Sequence, residues 1–337
     1  MKKMLSVLLI LAMTISLQAC SDHSVPYPAA DITDSEIIAS LEGKVGNIAQ
    51  MEAGADRIAV LRTDGSVVCV EGYCSGEPVY ANLGWTDIVK IDVSGSAIVG
   101  LRADGVVLAA GRNMKNDLGI RGDNLIRGSF NCVIFDSKIQ NDVEIPVVDI
   151  AACTGRVIAL WEDGTVQSTN VQDQLSSWNN IVDIDTMHSA FGNKIFGVRQ
   201  DGTVMESGSG DSAYVTTGWT DIVDICAGWS SVAGLKSDGT VVISQTPELE
   251  GNMGASYDTV SWTGIVELSG YSEIVGLKSD GTVVSTGLNE AGAGNVQDWY
   301  NVADVAAGEY FTVALKRDGS IVGTSQTENW NLSMLYG

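Results

Sequence analysis

Histidine is nearly missing from this chain: His23 and His188 are the only two in 337 residues. That scarcity removes the commonest general base and metal ligand from most of the sequence. There is no Gly-x-Ser-x-Gly elbow, no phosphate-binding glycine loop and no His-Glu-x-x-His. No alternating Asp-x-Asp-x-Asp-Gly loop occurs. The Cys69-x4-Cys74 spacing lacks the second pair or nearby histidine that a zinc site needs. No metal or cofactor is expected, and no enzyme. The many carboxylates leave a hydrolase or lyase with paired channel acids as an alternative. Basic residues are also few, 19 Lys and Arg against 42 Asp and Glu, for a net charge of −23. Such a surface repels a phosphate backbone, so no nucleic acid is expected as partner. Helical periodicity is missing too, since no segment after residue 45 repeats its apolar residues at helical spacing.

What is present is repetition. "GLKSDGTVV" stands at 234–242 and again, unchanged, at 276–284. Looser copies carry Asp-Gly at Asp64, Asp104, Asp163, Asp201, Asp238, Asp280 and Asp318, at intervals of 40, 59, 38, 37, 42 and 38 residues. Lys or Arg stands two positions before six of these Asp residues, and Trp161 takes that place in the seventh. A Trp precedes an apolar pair in "WTDIV" at 85, "WNNIV" at 178, "WTDIV" at 219, "WTGIV" at 262 and "WYNVA" at 299. Inter-blade packing is the favoured role for these Trp residues. β-Branched runs flank each Asp-Gly, which is a hairpin signal because Gly accepts the positive φ of a tight turn. Units near 40 residues with short strands and no helix describe propeller blades. The predicted fold is all-β, a seven-bladed β-propeller of four-stranded antiparallel blades over 46–337. The last blade closes either through its own C-terminal segment or through residues 31–45.

"VADVAAGEYFTVALKRDGSIVG" at 302–323 is the fullest unit, and "GRNMKNDLG" at 111–119 and "GLNEAGAG" at 287–294 continue the third strand. These segments resemble the repeat of the regulator of chromosome condensation family, in the form of a bacterial lipoprotein member. A more distant resemblance is to the β-lactamase-inhibitor propellers. The family resemblance implies a seven-bladed propeller and no single function, since its members include a nuclear nucleotide-exchange factor and secreted inhibitors. Where many family repeats carry His before Thr-x-Ala-Leu, this chain has Arg57, Arg156, Ser231, Glu273 and Phe311. Roles tied to those histidines are not inherited.

The N-terminus speaks to location. Residues 1–19 have two lysines and a short apolar run, as in a secretory signal. Leu17-Gln18-Ala19-Cys20 resembles a bacterial lipobox, with Cys20 as the lipidated residue. Residues 20–32 read as a tether, and 33–45 as a short helix begun by a Thr33/Glu36 capping box. Removal of 1–19 leaves 17 basic and 42 acidic residues, a net of −25. The expected place is the bacterial cell envelope, extracytoplasmic and anchored only through lipid. An exported chain permits disulfides: Cys69–Cys74 and Cys132–Cys153 are the candidate pairs, with Cys226 buried and inert.

The loops from first to second strand are expected on one face, opposite the Asp-Gly turns. They place Trp229, Tyr271, Tyr310, Phe311, Met187, His188 and Phe191 around the channel mouth, with Arg57 and Arg156 at the same level. Clustered aromatics on a rigid frame suit a protein-binding hot spot. In the β-lactamase inhibitors that the chain resembles, aromatics of these loops contact the enzyme. The expected function is a monomeric, non-catalytic binder of a protein or glycan, with an inhibitor of a secreted or periplasmic enzyme as the alternative. Asp183/Arg199, Asp224/Lys236, Glu267/Lys278 and Asp304/Lys316 are expected as structural charge pairs.

Overall fold

The Asp-Gly turns hold the architecture together. In the computed structural model of the protein, Gly65 N donates to Arg62 O at 2.9 Å and Arg62 N to Ser66 O at 2.9 Å. This is the three-residue hairpin loop with a left-handed residue at its end, and Gly65 supplies it at φ 80. Asp64 Oδ1 accepts from Ser66 N at 3.0 Å and from Ser66 Oγ at 2.6 Å. The same Asp-to-Ser/Thr clamp recurs at Thr165, Thr203, Thr240, Thr282 and Ser320. Turn formation therefore accounts for these aspartates. The structure describes residues 24–25, 48–55, 57–71, 79–93, 97–111, 130–153, 156–170, 173–189, 192–208, 216–245, 257–289 and 292–324, with positions 327, 332 and 335.

Seven antiparallel sheets form the blades. Blade 1 comprises Ile48–Ala53, Arg57–Arg62, Val67–Glu71 and Val79–Asn82. Blade 2 comprises Ile88–Val93, Ala97–Arg102, Val107–Gly111 and Phe130–Phe135. Blade 3 holds Val147–Cys153, Arg156–Trp161 and Val166–Ser168; blade 4 holds Ile181–Ser189, Gly192–Arg199 and Val204–Gly208. Blade 5 holds Ile222–Ala227, Ser231–Lys236 and Val241–Gln245; blade 6 holds Ile265–Gly270, Glu273–Lys278 and Val283–Gly287. Blade 7 holds Val302–Ala307, Thr312–Lys316 and Ile321–Gly323.

Each cleft between neighbouring blades encloses its own apolar cluster. Trp85 packs with Leu61 and Val67 of blade 1 and Ile91 and Ile98 of blade 2. Trp178 and Trp262 fill the clefts before blades 4 and 6 in the same way. Room for these rings comes from small residues: a Cβ on Gly197 would lie 2.7 Å from the Trp178 ring. The final cleft joins the two ends of the chain, with Met51, Ile58 and Val60 against Phe311, Val313 and Leu315. The ring is closed. Each buried aliphatic or aromatic side chain of this kind contributes roughly 1.5–3 kcal/mol, so closure rests on the same apolar burial as every other interface.

Several expectations change. A fourth strand is present in blades 1 and 2, whereas the corresponding stretch of blade 3 is a 3-10 turn at Leu175–Ser177. In blade 6 the described residues after Gly287 likewise form turns. The C-terminal segment reaches the blade 7–1 cleft through Leu332 and the buried Leu335, without a described strand. Ser24–Val25, from the segment read as a tether, pairs instead with Phe130–Phe135 as a fifth strand of blade 2. The leader, Cys20 and the helix over 33–45 lie outside the described residues, as do Cys74 and Phe191. Among the described residues no helix is long and apolar enough to cross a membrane.

The 59-residue interval contains an added hairpin, Lys138–Gln140 and Val143–Ile145, turning through Asn141 and Asp142 at φ 53 and 62. The hairpin explains the Trp161 exception. Elsewhere the basic residue stands near the turn Asp two positions later, and Arg102 forms an ion pair with Asp104. In blade 3 Lys138 comes from the hairpin to Asp163 at 2.8 Å, with its ammonium 5.3 Å from the Trp161 ring centre.

Cys153 and Cys226 are buried, and Cys74, the candidate partner of Cys69, lies outside the described residues. Cys132 is on the outer strand of blade 2, paired with Ala109 and Ser24, while Cys153 ends the inner strand of blade 3. A blade width separates them. Burial pushes the Cys153 thiol up to about 12, so it is not nucleophilic near neutral pH.

Candidate functional site

Opposite the Asp-Gly turns, each inner strand passes to the second strand through a tight loop. Gly228 N bonds Ser231 O at 2.8 Å, Gly308 N bonds Phe311 O at 2.7 Å and Gly54 N bonds Arg57 O at 2.9 Å. The loops are then joined to one another. Trp229 N donates to Tyr271 O at 2.6 Å, Ser272 Oγ to Glu309 O at 2.6 Å, and Glu309 N to Gly54 O at 3.3 Å. Blades 5, 6, 7 and 1 thereby share one continuous shelf. Trp229 and Tyr271 are half-buried and line the channel mouth, and Tyr310 is 42% exposed.

Other members of the predicted set are not on that surface. Phe311 is 2% exposed and packs in the closing cleft, and Met187 is buried in the cleft between blades 4 and 5. Arg57 and Arg156 are buried as well. The cause is positional: Arg57, Arg156, Ser231, Glu273 and Phe311 occupy one repeat position at the start of the second strand, and all are buried. That position looks into a cleft, so its identity answers to packing. His188 sits on the blade 4 inner strand, with its backbone opposite Asn193.

Below the shelf the inner strands enclose about 130 Å³, lined by Glu52, Lys90, Asp92, Asp183, Asp185 and Asp224 among others. The expected charge pairs within blades give way here to bonds between blades. The register sets Lys236 opposite Ile222 and Asp224 opposite Leu235, with a bulge between. Carboxylates of one inner strand accept backbone N–H from the next: Asp92 from Ala152 at 2.6 Å, Asp183 from Ile225 at 2.9 Å and Asp185 from Ala227 at 2.8 Å. Asp304 accepts from Met51 at 2.9 Å and so links blade 7 to blade 1. Gln50 serves the same purpose toward Ile91, at 2.9 Å. This stitching employs Asp92, Asp183 and Asp185 of the channel lining.

One of them carries a measurable consequence. Burial, then the nearby Asp92, pushes Asp185 up to about 8, and burial does the same to Glu273 in blade 6. A carboxyl whose folded pKa is raised stabilises most below its ordinary range, near 4, and loses that contribution as pH rises through 8. Thermal unfolding is therefore expected to show a melting temperature that falls from pH 5 to pH 9. Asp185→Asn keeps an acceptor for Ala227 N and is expected to melt higher than the parent at pH 9. Identical pH slopes in parent and variant would refute this assignment.

The rim by the Asp-Gly turns holds a feature that the sequence reading missed. Val89, Val148, Val182, Val223 and Val266 are 42–55% exposed. Each is the bulged residue skipped by the ladder, as Val89 is between Ile88 and Lys90. The signal was visible as the recurring apolar residue between a buried Ile or Val and a polar position.

No protein-family model matches the sequence, and no curated protein sequence matches it. Solved structures do. Yeast RCC1 (Prp20), crystallised with Kap60, superposes with a TM-score of 0.54 at 15% identity, covering 79% of each chain. Human WBSCR16 gives 0.55 at 15%, over 80% of this chain and 87% of that one. The ectodomain of the Physcomitrella patens receptor kinase CR4 gives 0.52 at 15%, over 82% and 72%. At this identity the likeness is one of fold, and the fold is the propeller.

Proposed function

We propose that this chain is a non-catalytic binding protein that holds a partner protein on the loop shelf of blades 5, 6, 7 and 1, displayed outside the cytoplasm by a lipid on Cys20. The supporting observation is the hydrogen-bonded run from Trp229 through Tyr271, Ser272 and Glu309 to Gly54. It holds Trp229, Tyr271 and Tyr310 on a frame ordered before binding, which lowers the entropic cost of association. The yeast RCC1 (Prp20) structure, in which that protein is bound to Kap60, is compatible with a binding role for a chain of this fold. The net charge of −23 favours a cationic partner surface. An inhibitor of an envelope enzyme would use the same shelf and differ only in its target.

The test is capture from a cell-envelope extract by the parent chain, Trp229→Ala, Tyr310→Ala and, on the far rim, Val223→Asp. Truncation of a hot-spot aromatic costs about 2 kcal/mol or more, so the two shelf variants are expected to lose some thirtyfold in affinity while Val223→Asp binds normally. Full binding by both shelf variants, or its loss only in Val223→Asp, would move the partner to another surface.

A further inference from the structure

Blade 6 contains a second cavity beside the shelf, of about 200 Å³. Its floor is Glu273, which is 0% exposed. Ser285, Thr286 and Gly287 of the third strand form one wall, and Asn289, Gly294 and Gln297 of the following loop form the other. Asn289 and Gln297 are exposed, so the cavity opens to solvent between them.

The polar atoms are not balanced between donors and acceptors. Glu273 Oε1 accepts from Thr312 Oγ1 at 3.2 Å, while the buried Oε2 has no hydrogen-bond partner. Ser285 Oγ donates to Gly294 O at 2.7 Å, Gln297 Nε2 donates to the same carbonyl at 3.2 Å, and Asn289 Nδ2 donates to Asn295 Oδ1 at 3.0 Å. These donors turn into the protein wall. The lining brings the Glu273 carboxyl together with Ser285 Oγ, the Gln297 side-chain amide and Thr286 Oγ1, which accepts from Asp258 N at 2.8 Å, and no basic residue is part of it. An unsatisfied buried carboxylate oxygen costs more than any neutral acceptor. The complementary ligand is a compact group with several donors and a positive charge.

We propose that this pocket binds a primary ammonium group, supplied either by a lysine side chain of a bound protein or by a free alkylamine. The pocket stands on its own geometry, whether or not the shelf holds a protein. Three N–H donors of one ammonium match Oε2 and the side-chain oxygens of Ser285 and Gln297. A quaternary ammonium has the charge without the donors, and a sodium ion lacks their directionality.

The proposal is tested by calorimetric titration of the purified full chain in detergent with n-butylammonium chloride. Tetramethylammonium chloride and sodium chloride serve as controls at equal ionic strength. Saturable binding of n-butylammonium alone, weakened at least tenfold in Glu273→Gln, is the expected result. Glu273 must be ionised to bind the cation, and its carboxyl is pushed up to about 8 by burial. Tyr257 is the titratable neighbour that senses it and is itself held neutral by a raised pKa, and blade 7 presents Thr312. Affinity is therefore expected to be at least tenfold greater at pH 9 than at pH 6. Gln297→Leu alters only the exposed rim and is expected to weaken binding with the fold intact, which covers the case that Glu273→Gln unfolds. Nα-acetyl-lysine N-methylamide, titrated in parallel, identifies the source: equal or tighter binding points to a lysine side chain, and binding of n-butylammonium alone to a free amine. Absence of saturable binding, equal binding of sodium or tetramethylammonium, or indifference to both variants would overturn the assignment.

Discussion

Gly202→Ala is expected to lower stability by about 2–5 kcal/mol, seen as a lower midpoint in urea unfolding at unchanged slope. Two costs combine. Gly202 is at φ 79, where an L-residue loses roughly 1–2 kcal/mol. A Cβ there would also stand 2.9 Å from Asp221 N and 3.0 Å from its Cα, and forced overpacking adds about 1–3 kcal/mol. The contact is tight for a reason, since Gly202 O accepts Ile222 N at 3.1 Å and so ties the turn of blade 4 to the first residue of blade 5. The same carbonyl-to-amide staple recurs from Gly65 to Ile88, Gly164 to Ile181, Gly239 to Ile265 and Gly281 to Val302. Gly218 supplies the control: its φ is 88, but nothing lies within 4 Å of its added Cβ. Gly218→Ala should therefore cost only the backbone share. Equal losses at both sites would mean that the turn glycine acts through φ alone and that the staple between blades is not tight.

Arg156→Leu is expected to be more damaging still, by about 3–5 kcal/mol. Arg156 Nη1 lies 2.9 Å from Asp173 Oδ1, with both side chains 4% exposed, and Ser168 Oγ donates to the other carboxylate oxygen. Removal of the guanidinium leaves a charge in a site where water cannot reach it. The double variant Arg156→Leu/Asp173→Asn should recover most of the loss, because the uncompensated charge goes with it. Urea unfolding of the two variants decides the matter. A stably folded Arg156→Leu protein that fails only in partner capture would restore the surface role that the sequence alone pointed to.

The case of Arg156 shows where sequence reasoning stopped. Loop spacing placed it near the channel mouth, and the structure agrees on that height. Which way the side chain turns is decided by the alternation of the second strand, whose first residue faces a cleft in blade after blade. Phe311 went the same way, while Tyr310, one residue earlier, stayed at the surface. The charge pairs illustrate a second limit. Asp224 and Lys236 are close by counting, but the bulge at Val223 shifts the ladder by one residue, and the inner-strand acids reach the next blade instead. Trp161 was visible as an exception in the series, yet its replacement cation lies 23 positions earlier on an inserted hairpin.

The chain by itself determined the number of blades, their order and the face on which each loop emerges. Asp-Gly spacing and β-branched patterning are local, and local preferences repeated seven times leave few other ways to bury seven apolar faces. Tertiary structure alone decided what the ionisable residues do. Glu273 with an orphan oxygen above a polar cavity, Asp185 held toward its neutral form and Arg156 locked to Asp173 all depend on groups from other blades or distant loops. Desolvation and hydrogen bonding are set by surroundings that no short stretch of sequence contains.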